Sequence, residues 1–269
     1  MIESVQRHRP FAKYLALIGV AVRYQLVQRG AVFGRVAFYA MILFIFSRLW
    51  EVVFEQSPLA GLTQADMIWY LAVTEWALMS VPASFLEIEK DVRNGDIAYR
   101  LPRPISYLWA QIAEGLGNIL VRMVILGVLG FAIAYLFLGE LPRDVAWLLF
   151  AIPLGFLSMV AMLLAHIGIG LCAIWIHDIT PVFWIWQKML FILGGLMLPL
   201  TIYPEWLVAI AEWTPFYAML YGVGQFAYTS DISIVVDVAL KLLAWLAILL
   251  VVVSWIYRKG LKALNISGG

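Results

Sequence analysis

The chain has 269 residues, of which 64% are hydrophobic and only 13% charged, with a mean hydropathy of +0.92. That balance excludes a soluble globular domain and fits a polytopic membrane protein. A formal net charge of +1 leaves no excess for nucleic acid or an acidic substrate, so the placement of the charges carries the information. The single cysteine, Cys172, excludes an intramolecular disulfide framework and a Cys-based zinc site.

In chain order, the charged start runs into an apolar segment that is broken by Arg23 and lacks a small-residue cleavage site. It is not expected to be a removable signal peptide. Within residues 10–30, apolar positions at 11, 14, 15, 18, 22 and 26 follow helical spacing while Lys13, Arg23, Gln28 and Arg29 stay polar. This predicts a helix lying along the membrane surface. A first span is predicted over about Ala31 to Phe54, with Arg35 and Arg48 near its ends and able to snorkel. Thr63 with Asp66 marks the start of a second span, about Asp66 to Leu86. A third follows over about Asn118 to Leu138, and Asp144 is placed to cap a fourth from about Val145 to Ile169, extendable to Ile176. Thr180 and Pro181 form a helix-start signal for a fifth, about Val182 to Leu200.

Residues 203–228 break this pattern, because Pro204, Pro215, Gly222 and Gly224 divide them into pieces too short to cross a bilayer. Two short helices dipping into one leaflet are expected, with Trp206, Trp213, Tyr217 and Tyr228 suited to the interface. The sixth span is predicted over about Val238 to Tyr257. A cytoplasmic N-terminus puts 13 of the 18 Lys and Arg residues on the inner side. By the positive-inside rule both termini then lie in the cytosol.

Catalytic signatures are scarce. No G-x-x-x-x-G-K-[ST], H-E-x-x-H, C-x-x-C or G-x-S-x-G occurs, so any ATP must be handled by another chain, and no metal site or catalytic residue is assigned. Three polar side chains fall inside spans. Glu75 is a carboxylate near mid-span that should face a partner or a cavity, as a path lining or as a packing residue. His166 reads as a hydrogen-bonded interior histidine or a proton relay, and Lys188 can snorkel or pair with an acid. The aromatic cluster Phe183-Trp184-Trp186 serves helix packing or an apolar or cationic substrate.

The longest charged interval between apolar runs is residues 84–106. Ser84 with Glu87 makes a capping box for a helix running to Arg93. Asn94-Gly95 can end it, Asp96 can cap a second short helix to Leu101, and Pro102 and Pro104 stiffen the exit. The expected product is a two-part elbow in the cytosol through which a soluble partner delivers mechanical work.

The run from Asp91 to Ser106, the six spans and the segment from Pro199 to Leu207 together resemble the ABC-2 type permeases, the membrane subunits of bacterial ABC exporters. The resemblance covers essentially the whole chain, with Val92 standing where isoleucine is common. It implies an all-α polytopic fold: an N-terminal interfacial helix, six transmembrane helices, a cytoplasmic coupling helix, and outer re-entrant helices before the last span, all in one domain of the inner membrane. It further implies two copies of an ABC ATPase subunit that bind ATP and Mg, and a second permease, identical or paralogous, completing a dimer. Carried over position by position, Glu89, Asp91, Arg93, Gly95, Asp96, Arg100 and Arg103 fall in the loop expected to touch the ATPase. The substrate expected is hydrophobic or amphiphilic, a drug, lipid or peptide-like molecule. The competing expectation is an ATP-independent channel or ion-coupled carrier using Glu75, His166 and Lys188.

Overall fold

A computed structural model of the chain describes residues 11–56, 61–102, 104–143 and 145–267. Among the described residues the secondary structure is helical throughout, with no strand. The helices are α1 (Ala12–Val27), α2 (Arg29–Gln56), α3 (Gln64–Ser80), α4 (Ser84–Arg93), α5 (Asp96–Arg100), α6 (Tyr107–Leu138), α7 (Val145–Leu171), α8 (Thr180–Leu193), α9 (Glu205–Glu212), the single turn α10 (Gly222–Gly224) and α11 (Ile232–Ser267). Five helical stretches are long and apolar enough to cross a bilayer: α2, α3 with α4, α6, α7 with the turn after it, and α11. The chain is a multi-pass membrane protein.

The centre of the fold is α3. Every residue from Asp66 to Ala77 is buried, and α2, α6, α7 and the segment around α10 pack against it. A helix buried on all sides needs no lipid-facing stripe, so it tolerates polar residues that find partners inside the protein. Accordingly α3 belongs to the least apolar of the five stretches and the most buried, whereas α11 is the most apolar and the least buried. Close helix contacts rest on small residues. At Gly130 of α6 an added Cβ would run into the Tyr39 ring of α2, whose hydroxyl donates to Ala72 O of α3.

The start of α3 follows its sequence signal. Thr63 Oγ1 accepts from Asp66 N at 3.2 Å while Asp66 Oδ2 accepts from Thr63 N at 2.8 Å, a closed capping box. Arg143 Nη2 reaches the same carboxylate at 2.6 Å and ties the turn before α7 to this end. Thr63→Ala is expected to cost about 1 kcal/mol, read as a lowered midpoint of thermal unfolding in detergent; an unchanged midpoint would remove the cap from the account.

The helix expected as the fifth span is present but ends earlier than its expected bounds. The helix that should have run over about Val182 to Leu200 ends at Leu193, and 14 residues reach only about 21 Å at 1.5 Å per residue. Gly194 closes it and Gly195 takes φ +61°, a left-handed turn open to glycine at little cost. The carbonyls released by that turn are taken up by α3: Tyr70 donates to Gly195 O, and Thr74 Oγ1 donates to Leu196 O at 2.9 Å. The helix therefore stops where the central helix supplies donors for its freed backbone.

Other boundaries move as well. The helix α6 begins at Tyr107 rather than near Asn118, and α11 starts at Ile232 and continues to Ser267. The second short helix expected over about Phe216 to Tyr228 is present but irregular and buried: a π-helical turn (Tyr217–Tyr221), α10 and a 3-10 turn (Gln225–Ala227) follow one another without a break. It lies so close to α3 that a Cβ at Gly224 would sit 2.6 Å from Tyr70 and Thr74 atoms. Trp206 and Trp213 are exposed as expected of interfacial residues, but Tyr217 is buried. The capping role expected of Asp144 lies outside the described residues.

Candidate functional site

The charged interval folds as two helices meeting at a turn, and its position is set by a break in the central helix. Pro82 has no N–H to continue α3 and disfavours helical backbone at the residue before it, and Val81 is extended (φ −77°, ψ 130°). The two carbonyls freed at the break are both captured: Arg122 Nη1 of α6 donates to Val81 O at 3.2 Å, and His166 Nδ1 of α7 donates to Pro82 O at 3.1 Å. A carbonyl can only accept, so that histidine nitrogen carries the proton.

From the break, α4 lies across α7. Phe85 and Ile88 are buried, and Gly170 of α7 admits them: a Cβ there would stand 2.9 Å from Ile88 Cβ and 3.0 Å from Phe85 Cα. Phe85 stacks on Phe183 of α8 with centroids 3.8 Å apart and meets the His166 ring edge-on at 5.5 Å. One side of α4 thus bears on α7 and the start of α8 together, so a push on it reaches both.

The expected Ser84–Glu87 capping box and the expected Asp96 cap are both absent here. Ala83, not Ser84, occupies the N-cap of α4 without a side-chain bond, and Gly95, at φ +77°, precedes α5 with Asp96 in its first turn. What fastens the elbow is a set of side-chain bonds. Asp91 is buried, and its Oδ2 accepts from the Tyr107 hydroxyl at 2.9 Å and from Arg100 Nη1 at 3.0 Å, which joins α4, α5 and α6. Glu89 is also buried, with Arg93 at 3.6 Å and the backbone N–H of Ile179 at 3.5 Å. Lys13 Nζ donates to Pro104 O at 2.6 Å and ties α1 to the elbow's exit. Beside α4, the turn into α8 is closed by Asp178 Oδ1 accepting from Thr180 N at 2.9 Å. The hydrogen bonds from Thr180 hold the Asp178 carboxyl below its usual range.

The seven residues expected to meet a partner therefore divide. Glu89 and Asp91 point inward and hold the elbow together, and Arg100 is half-exposed and engaged with Asp91. Arg93, Gly95 and Asp96 stand exposed at the tip, and Arg103 lies outside the described residues. The tip also presents Lys90, Asn94 and Tyr99, the last 80% exposed. Tyr99 was not singled out from the sequence, although an aromatic residue in a charged loop is a signal for a contact surface.

The three intramembrane candidates do not converge. Glu75 is buried on α3, His166 is engaged with Pro82 O beside the stacked Phe85 and Phe183 rings, and Lys188 is exposed on α8 with Nζ 5.5 Å from the centroids of both Trp184 and Phe191. Phe183 belongs to the elbow's stack, whereas Trp184 points outward. No group of three His, Cys, Asp or Glu side chains that could hold a metal occurs among the described residues.

A comparison with curated proteins returns no match. Residues 36–268, by contrast, match the family described as ABC-2 family transporter protein. That match takes in the five apolar spans from early in α2 onward, the break at Pro82 and the whole elbow, and the chain belongs to the ABC-2 transporter family.

Proposed function

We propose that this permease subunit of an ABC transporter works as an exporter, moving a hydrophobic or amphiphilic substrate out of the cytoplasm or the inner leaflet of the bacterial inner membrane. Family membership implies an ABC ATPase partner. In this reading two copies of it bind ATP and Mg and dock beneath a dimer of permeases, the second identical or paralogous. Both termini are cytoplasmic, and the chain crosses six times, with α8 and the turn after it making the fifth crossing.

The observation that carries this reading is the way the elbow is mounted. Its tip is exposed, while its base bears on α7 and α8 through Phe85 and Ile88 and on α6 through Asp91. A force on the tip therefore moves span ends directly, without first deforming a flexible loop. Closure of the ATPase pair supplies the force, and the spans respond by opening a path outward.

The test is reconstitution in vesicles with and without the ATPase subunit. ATP-dependent efflux of an amphiphilic fluorescent probe is expected only with the ATPase present. Probe or ion flux driven by an ion gradient through the permease alone would overturn the reading in favour of a channel or carrier. The placement of His166 and Lys188 speaks against that alternative, since one is occupied by a backbone carbonyl and the other lies on the outer surface.

A further inference from the structure

On the elbow's side of the molecule α1, the break at Pro82, the start of α4 and α6 surround a cleft of about 420 Å³. Gln25 of α1, Arg35 of α2 and Arg122 of α6 line it. Each leaves a buried donor without an acceptor: Gln25 Nε2, Arg35 Nη1 and Arg122 Nε. Gln25 is 1% exposed, and its Oε1 already accepts from Arg122 Nη2 at 3.3 Å, so its NH2 group is what remains to be satisfied. Neither guanidinium is ion-paired among the described residues. Buried donors are ordinarily matched, and two unpaired cations bordering one cavity call for an anion with several acceptor oxygens.

The continuation of the cleft decides which anion. Arg35 and Arg122 also border a narrow void with Val32 and Ile125. Those two residues border, in turn, a groove of about 300 Å³ lined mostly by apolar side chains of α2 and α6, Phe33 and Leu129 among them. A cluster of cationic donors thus opens, through a seam between two spans, onto an apolar channel on the outer surface. A free anion needs only the first part. An amphiphile uses both.

We propose that the cleft and groove hold one phospholipid of the bilayer, its phosphate oxygens accepting from Arg35, Arg122 and Gln25 and an acyl chain lying along the groove. Glu87 and Glu114 also line the cleft, and Glu114 stands two turns from Arg122, about 12 Å along α6. The cleft therefore carries carboxylates as well as cationic donors, which suits a headgroup carrying a phosphate and an amine. The site does not depend on the direction of transport.

Native mass spectrometry of the delipidated full chain in detergent tests this with three probes: phosphatidylethanolamine, a monoglucosyl diacylglycerol with the same chains but no phosphate, and chain-free glycerophosphoethanolamine. One phosphatidylethanolamine per chain should be retained, at least about tenfold more tightly than either other probe. Arg35→Gln, at a residue whose side chain fastens no other element, should bring phosphatidylethanolamine down to the level of the glucosyl lipid and leave the glucosyl lipid unchanged. Equal binding of the two lipids would overturn the phosphate site, as would an Arg35→Gln protein that keeps full affinity. Equal binding of the chain-free headgroup would overturn the lipid in favour of a soluble phosphate ester. The comparison of probes on the unaltered protein decides the matter even if the variant fails to fold.

Discussion

Replacing Gly95 by Val and Asp96 by Lys in one protein is expected to lower ATPase docking and ATP-driven transport at least about tenfold while the membrane fold persists. Gly95 has φ +77° and nothing within 4 Å of where a Cβ would stand, so the main cost of a β-branched residue is backbone strain. That strain is about 1–2 kcal/mol, and reversing a charge in the first turn of α5 removes about 0.3–1 kcal/mol of helix-dipole stabilisation. Both costs fall on an exposed turn remote from α3, where the consequence is a changed angle between α4 and α5 and a changed charge at the contact. Co-purification with the ATPase and ATP-dependent efflux are the measurements. If both stay at wild-type levels in the double variant, the tip is not the coupling surface.

Removing the carboxylate inside the elbow should act differently, through stability. Asp91→Ala leaves the Tyr107 hydroxyl buried with its acceptor gone and Arg100 without its partner. An orphaned buried hydroxyl costs about 1–3 kcal/mol. The Arg100 side chain is 41% exposed, so its share is screened and adds about 0–1 kcal/mol. The expected total is about 1–4 kcal/mol, seen as a lower thermal midpoint and as new protease cleavage between α4 and α6. Tyr107→Phe should cost less, because Asp91 keeps Arg100, and its effect should largely vanish in the Asp91→Ala background. Additive effects of the two substitutions would show that they do not share one fastening, and the elbow would need another explanation for its rigidity.

These two outcomes separate roles that the residue pattern alone had merged. Charge density marked Glu89, Asp91, Arg93 and Asp96 alike, since each is a charged side chain in one stretch between apolar runs. Burial divides them, placing Glu89 and Asp91 inside and Arg93 and Asp96 outside. That division depends on Tyr107 and Arg100 arriving from other helices to satisfy Asp91, and no local spacing encodes such an arrival. In the same way Ser84 and Glu87 had the spacing of a capping box, yet the break at Pro82 shifted the helix start by one residue and left the box unformed.

What the sequence by itself determined is everything that depends on local composition and covalent character. The apolar runs, the Thr63–Asp66 cap, the break at Asn94-Gly95 and the family resemblance are of this kind, because the bilayer thickness, the orphan N–H groups of a helix end and the left-handed tolerance of glycine act on a few neighbouring residues. Only the tertiary structure decided that α3 is the buried centre, that α8 stops at Gly194 and that His166 and Arg122 hold the break at Pro82. In each case a backbone carbonyl or a polar side chain is satisfied by a donor remote in sequence, and inside a membrane protein, with no water to take its place, that donor determines where a helix can end.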